Sequence, residues 1–277
     1  MEPTPRAEPD LASEVAAATA RFRLALLGGR YRGHIGQRRG TGPGSSLELH
    51  DFRDYAPGDD LRHIDWSGYA RTDQLRIRLH EAEVAPIVEL LLDTSPSMAV
   101  REGKQRAVRA LAAAFEQWAR QEGSTLRTSA LGGGHVDAGA LAFDGAFEPD
   151  APRVPLRPGS VRVIVSDGLW QQDPAPMLRR VAAQAARVVF LQLLDPWERA
   201  PQLDEAVTLR DCETGARAMW RLDARTRRAY DERLQRLCNA LRGALLALGG
   251  DHVAVTAGPL AEVCQRDLLP AGIVEPS

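Results

Sequence analysis

Strands alternating with helices mark this chain as an α/β protein built on a largely parallel sheet. The apolar run Pro86-Ile87-Val88-Glu89-Leu90-Leu91-Leu92 has the unbroken hydrophobicity of a strand covered on both faces. Residues 103–121 follow with Val108, Leu111, Ala112, Phe115 and Trp118 on one helical face. A second buried run, Val161-Arg162-Val163-Ile164-Val165-Ser166, ends in Asp167-Gly168 and leads into another helix and strand.

Taken in order, residues 1–10 read as an acidic, proline-rich tail, and residues 11–27 as a helix carrying Leu11, Val15, Phe22 and Leu26. Residues 28–47 are basic and glycine-rich. Their Gly40-Thr41-Gly42-Pro43-Gly44-Ser45-Ser46 cluster lacks the preceding strand and the lysine of a phosphate-binding loop, so a solvated loop is expected. Pro57-Gly58 signals a turn. Leu75, Ile77 and Leu79 alternate with Arg76, Arg78 and His80, the period of a half-exposed strand.

Gly123 stops the helix of residues 103–121, and a strand is expected over 124–131. The 30 or so residues before the next strand are rich in Gly and Pro without helical periodicity, so the crossover is either trimmed or antiparallel. A helix over 174–187 and a strand over 188–194 restore the alternation. Val207-Thr208-Leu209 and Ala218-Met219-Trp220 suggest a hairpin. A long helix near 224–248 carries Tyr230, Leu234, Leu237, Leu241, Leu245 and Leu248 in one core-facing stripe, before a strand over 252–256 and a short final helix. The expected division is 1–47 (tail, helix and basic loop), 48–85 (a β extension packed on the core) and 86–277 (the main α/β domain).

Composition sets limits. The chain has 277 residues, 44% hydrophobic and 26% charged, enough for a substantial core. A net charge of -2 and a pI near 6.3 argue against a general nucleic-acid binder. Cys212, Cys238 and Cys264 are widely spaced and odd in number, which indicates neither a zinc site nor a disulfide framework and fits a cytoplasmic setting. No apolar stretch approaches the ~18 residues of a membrane span.

Chemistry is concentrated where the two buried strands end. Asp93-Thr94-Ser95-Pro96-Ser97 puts a carboxylate and two hydroxyls on one loop, and Asp167 supplies a second carboxylate if the strands are parallel neighbours. Hard oxygens converging at the carboxyl edge of a sheet suit Mg²⁺ or Mn²⁺. The expected metal ligands are therefore Asp93, Ser95, Ser97 and Asp167. An enzyme is not expected. Asp93 lacks the second Asp two positions on that an aspartyl-phosphate phosphatase needs, no Gly-x-Ser-x-Gly elbow is present, and the six histidines show no ligand spacing. A Mg²⁺-dependent hydrolase using Asp93 is the alternative.

Asp93-x-Ser95-x-Ser97 with Ser166-Asp167-Gly168 resembles the metal-ion-dependent adhesion site of von Willebrand factor A domains. The run from Phe52-Arg53-Asp54-Tyr55-Ala56-Pro57-Gly58-Asp59-Asp60 through Leu61-Arg62-His63-Ile64-Asp65-Trp66 to Ala70-Arg71 resembles the signature of the bacterial domain-of-unknown-function family 58. Asp195-Pro196-Trp197-Glu198 and the Leu209–Gly215 segment extend that resemblance, which covers roughly residues 30–256. It implies a von Willebrand A-like, Rossmann-like sheet and a non-catalytic partner or adaptor of a MoxR-type AAA+ ATPase. One departure stands out. No threonine lies between Thr128 and Asp167, where the adhesion-site pattern draws a further ligand. Tyr55 and Trp66 are expected as packing anchors of the 48–80 segment.

Overall fold

The computed structural model describes residues 10–27, 47–57, 59, 61–82, 86–145, 150–201, 206–212, 215–221 and 223–277. The expected tail and basic loop lie largely outside them. In chain order the elements begin with α1 (Leu11–Thr19), β1 (Phe22–Leu24), β2 (Leu47–Asp54), α2 (Trp66–Thr72) and β3 (Arg76–Ala82). There follow β4 (Ile87–Leu92), α3 (Glu102–Gln121), β5 (Thr125–Ala130), β6 (Val161–Ser166), α4 (Ala175–Ala182) and β7 (Arg187–Leu194). The last are α5 (Pro196–Arg199), β8 (Ala206–Arg210), β9 (Arg217–Arg221), α6 (Ala224–Leu246), β10 (Asp251–Thr256), α7 (Leu260–Val263) and β11 (Val274–Pro276). Contacts divide the chain into two compact units, residues 1–33 with 86–277, and residues 34–85.

The larger unit is an α/β layer structure of the Rossmann-like kind expected for a von Willebrand A-type domain. Its five-stranded sheet has the order β10-β7-β6-β4-β5, and every neighbouring pair is parallel. Alternation along each strand decides which layer a residue joins. Leu90 and Leu92 face the core that contains Val108, Phe115 and Trp118 of α3, while Leu91 faces the core that contains Leu178 of α4 and Leu241 of α6. β4 and β6 lie side by side although β5 intervenes in sequence. They flank the point where strand order reverses, which is where open α/β sheets hold ligands.

The crossover from β5 to β6 contains no helix among the described residues. It is trimmed rather than antiparallel, and it is held by backbone bonds, with the Gly132 N–H donating to Asp150 O at 2.8 Å and the Arg153 N–H to Gly133 O at 2.7 Å. Gly145 brings this loop to the site, its N–H donating to Thr94 O at 2.9 Å. A Cβ there would sit 2.2 Å from Thr94 Oγ1, so only glycine permits the approach.

Three helix expectations are corrected. The first helix ends at Thr19, not near 27, because Phe22 and Leu24 bury by pairing β1 antiparallel with β11, and that pairing overrides local helical propensity. α4 stops at Ala182. Gln184 takes a positive φ of 60°, and the buried Arg162 guanidinium donates to the carbonyl oxygens of Val181 and Ala183, satisfying the helix end. In α6 only Leu241 and Leu245 of the expected stripe are buried; Tyr230, Leu234 and Leu237 are half-buried.

In the smaller unit β2 and β3 pair antiparallel with an irregularity between Leu49 and Asp51. Ile64 bridges to Ile77 and both are buried, as the alternation around Ile77 leads one to expect. Trp66 differs from expectation. It is 58% exposed and packs edge-on against Tyr69 at 6.3 Å, in a short helix none of whose residues is buried.

Candidate functional site at the strand-order switch

β4 and β6 run in register, Leu92 opposite Val165, so the residues that follow meet at one edge. Asp93 is 4% exposed and both its carboxylate oxygens are engaged. Oδ1 accepts the Ser95 N–H at 2.9 Å; Oδ2 accepts the Ser166 hydroxyl at 2.6 Å and the Trp170 indole N–H at 3.3 Å. Burial, and then the nearby Asp167 charge, push the Asp93 carboxyl above its usual range, and the hydrogen bonds from Ser166 and Ser95 oppose that shift. Ser95 and Ser97 point their hydroxyls together at 3.0 Å. The structure thus gathers all four nominated ligands at the sheet edge.

It also brings there a group the sequence reading missed. Lys104, in the first turns of α3, is fully buried. Its ammonium donates to Asp167 Oδ2 at 2.9 Å and to Glu198 Oε1 at 2.8 Å. Burial alone would lower the lysine pKa, but the two carboxylates and their hydrogen bonds overcome it, so the net shift is upward and the ammonium stays charged. Glu198 is held by a capping box on α5. Its Oε2 accepts the Asp195 N–H at 2.7 Å while Asp195 Oδ1 accepts the Trp197 N–H at 2.9 Å. Burial raises the Glu198 pKa despite the Lys104 charge. A signal for Lys104 was present in the sequence. It extends the apolar stripe of Val108, Leu111 and Phe115 toward the helix start, and it is the only lysine among 35 Lys and Arg residues.

In this geometry a divalent ion would have to share Asp167 with a resident ammonium. Asp167 Oδ1 accepts the Leu169 N–H at 3.0 Å and its Oδ2 is taken by Lys104. Asp93 accepts three donors and Asp167 two, and a buried positive charge already lies against Asp167 where a metal would have to sit. Among the described residues no group of three or more His, Cys, Asp or Glu side chains is arranged to hold a metal.

Beside the cluster opens a cleft of about 580 Å³. Ser97, Asp167 and Glu198 line it together with Leu209 and Trp220 of the β8–β9 hairpin and Tyr230 of α6. Arg210 and Arg227 also line it. The Tyr230 hydroxyl donates to the Glu198 carbonyl, and burial followed by the Glu198 charge pushes its pKa up to about 12. Tyr230 is therefore a neutral donor that ties α6 to α5.

Behind Asp167 a second layer fixes the loop. The Gln192 amide donates to Asp167 O at 2.9 Å and its oxygen lies 2.9 Å from His252 Nε2, so Nε2 carries a proton and donates it to Gln192. Burial, then Arg242 and Arg199, pull the His252 pKa down to about 4. The unfolded chain takes up this proton near its ordinary value of about 6.5, whereas the folded protein resists until about 4. In that window the unfolded state binds more protons, so stability falls as pH drops. Melting temperature measured against pH is expected to decline more steeply in the wild type than in His252→Asn. Parallel curves would show that His252 does not contribute.

Comparison with known proteins agrees in part with the resemblance. Uncharacterized proteins of Mycobacterium bovis and of two Mycobacterium tuberculosis strains are 30% identical over 211 residues, covering 65% of this chain. The chain spans 65% of the length of these relatives. Among solved structures, the conserved hypothetical protein BatB from Bacteroides thetaiotaomicron superposes with a TM-score of 0.36 at 11% identity, over 63% of this chain and 92% of that one. An aerotolerance-related membrane protein from Bacteroides fragilis gives 0.30 at 13%, over 65% and 96%. In the present chain no helix among the described residues is long and apolar enough to cross a membrane. Over residues 51–133 the sequence matches the family described as protein of unknown function DUF58, the similarity that the Phe52–Trp66 signature carries.

Proposed function

We propose that this protein is a non-catalytic interaction module that receives a protein partner in the cleft at the sheet edge. The observation that carries the reading is the combination of that cleft with an exposed apolar hairpin. Trp220 is 52% and Leu209 37% exposed on the hairpin strands that line the pocket, and large exposed apolar groups flanking a concave floor are what partner surfaces look like. The hydrolase alternative is less well supported, since Asp93 is 4% exposed, holds its loop through both carboxylate oxygens and does not line the cleft.

The partner we propose is a MoxR-type AAA+ ATPase of the cytoplasm, which the resemblance implies, and the cleft is the docking surface we propose for it. Co-purification of the two proteins tests both. The expected result is a complex weakened at least about tenfold by Trp220→Ala, the size of loss found when an interface anchor is truncated. A complex indifferent to Trp220→Ala and Leu209→Ala would remove the cleft as docking place. No complex at all would remove the ATPase as partner.

A further inference from the structure

We infer that Lys104 is the resident cation of this site. Its ammonium fills the charge role that the Asp-x-Ser-x-Ser pattern assigns to a divalent metal, and the cluster is complete without one. The inference goes beyond the docking reading and does not depend on it.

Three observations carry it. The first is geometry. The Lys104 ammonium is fully buried and lies 2.9 Å from Asp167 and 2.8 Å from Glu198, the spacing of charge-assisted bonds. The second is the commitment of lone pairs. Asp93 and Asp167 accept five donors between them, all from this chain, and one of the five is the ammonium itself, so the negative charge of Asp167 is already matched inside the fold. A divalent ion beside them would also meet the ammonium in a poorly screened interior.

The third is residue choice. Arginine occupies every other cationic position of the chain, yet this one holds lysine. A guanidinium is a wide planar fork, whereas an ammonium is a compact point charge able to stand between two carboxylates from different elements. The missing threonine fits the same picture. A site that binds no metal needs no ligand from the β5–β6 loop, and that loop approaches through Gly145 and the Thr94 carbonyl instead.

The single lysine makes the test clean. Protein labelled with ¹⁵N at lysine Nζ should give one side-chain ammonium resonance, titrated first with Mg²⁺ and then with Mn²⁺. The expected result is an unmoved resonance, no saturable Mn²⁺ broadening, and the same melting temperature in Mg²⁺ and in chelator. Mn²⁺ binding counted by electron paramagnetic resonance provides the second measurement. Stoichiometric binding that broadens the lysine signal and disappears in Ser97→Ala would overturn the inference. Binding that spares the lysine signal and survives Ser97→Ala lies elsewhere and leaves the inference supported. Because every measurement is made on the folded wild type or on a surface-layer variant, failure of a lysine mutant to fold cannot obscure the answer. Failure of the partner experiment would likewise leave this result standing.

Discussion

Replacing Lys104 with methionine is expected to destabilise the folded protein by about 3–5 kcal/mol, the cost of breaking a buried ion cluster by removing one partner. Methionine keeps most of the volume, so the loss reports charge rather than cavity. Asp167 is fully buried, and Glu198 is nearly so at its side chain, and without the ammonium both are left facing each other in a poorly solvated space. The double variant Lys104→Met/Asp167→Asn removes one of the stranded charges and is expected to recover part of the loss. Urea denaturation followed by circular dichroism checks both. A Lys104→Met midpoint equal to that of the wild type would show that the cluster contributes nothing net.

Trp118→Ala is the second large effect, expected at about 3–5 kcal/mol for truncating a fully buried aromatic. Trp118 packs edge-on against Phe115 with ring centroids 5.5 Å apart, and its indole N–H donates to the Phe22 carbonyl at 2.7 Å. The residue therefore both fills the core and holds β1 in place. Trp118→Phe separates these roles. It retains most of the ring contact and loses only the hydrogen bond, for an expected loss of about 1–3 kcal/mol, since Phe22 O is left unpaired on that side. If the two variants melt alike, the bond to Phe22 is the main contribution and the packing argument is wrong.

The sheet was legible because its strands carry a period and a length that only buried parallel strands share. β4, β6 and β7 fall within a residue of where their apolar runs lie. The meeting of Asp93 and Asp167 was legible for the same reason, as each ends such a run. What could not be read depends on partners remote in sequence. β1 is a strand only because β11 lies beside it, so its alanine-flanked residues looked like more helix. Lys104 lies 63 positions from Asp167 and 94 from Glu198, and although its place on the apolar stripe hints at burial, nothing local names the two carboxylates that pair with it. Trp66 was read as an anchor because tryptophan usually buries; its neighbours in α2 are themselves exposed.

The pairing of β1 with β11 has a consequence for how the chain reaches its native state during synthesis. Phe22 pairs with Pro276 and Leu24 with Val274, and Glu14 of α1 accepts the Leu260 N–H at 2.6 Å. A segment synthesised early is thus completed by one that follows it about 250 residues later. Its loop-closure cost is large and is met only when the sheet between has assembled. Until then Val15, Phe22 and Leu24, all buried in the finished fold, have no strand to cover them on one side. A nascent chain stalled before residue 260 should therefore expose this edge to chaperones or to protease, and emergence of residues 260–276 should close it in a single late step.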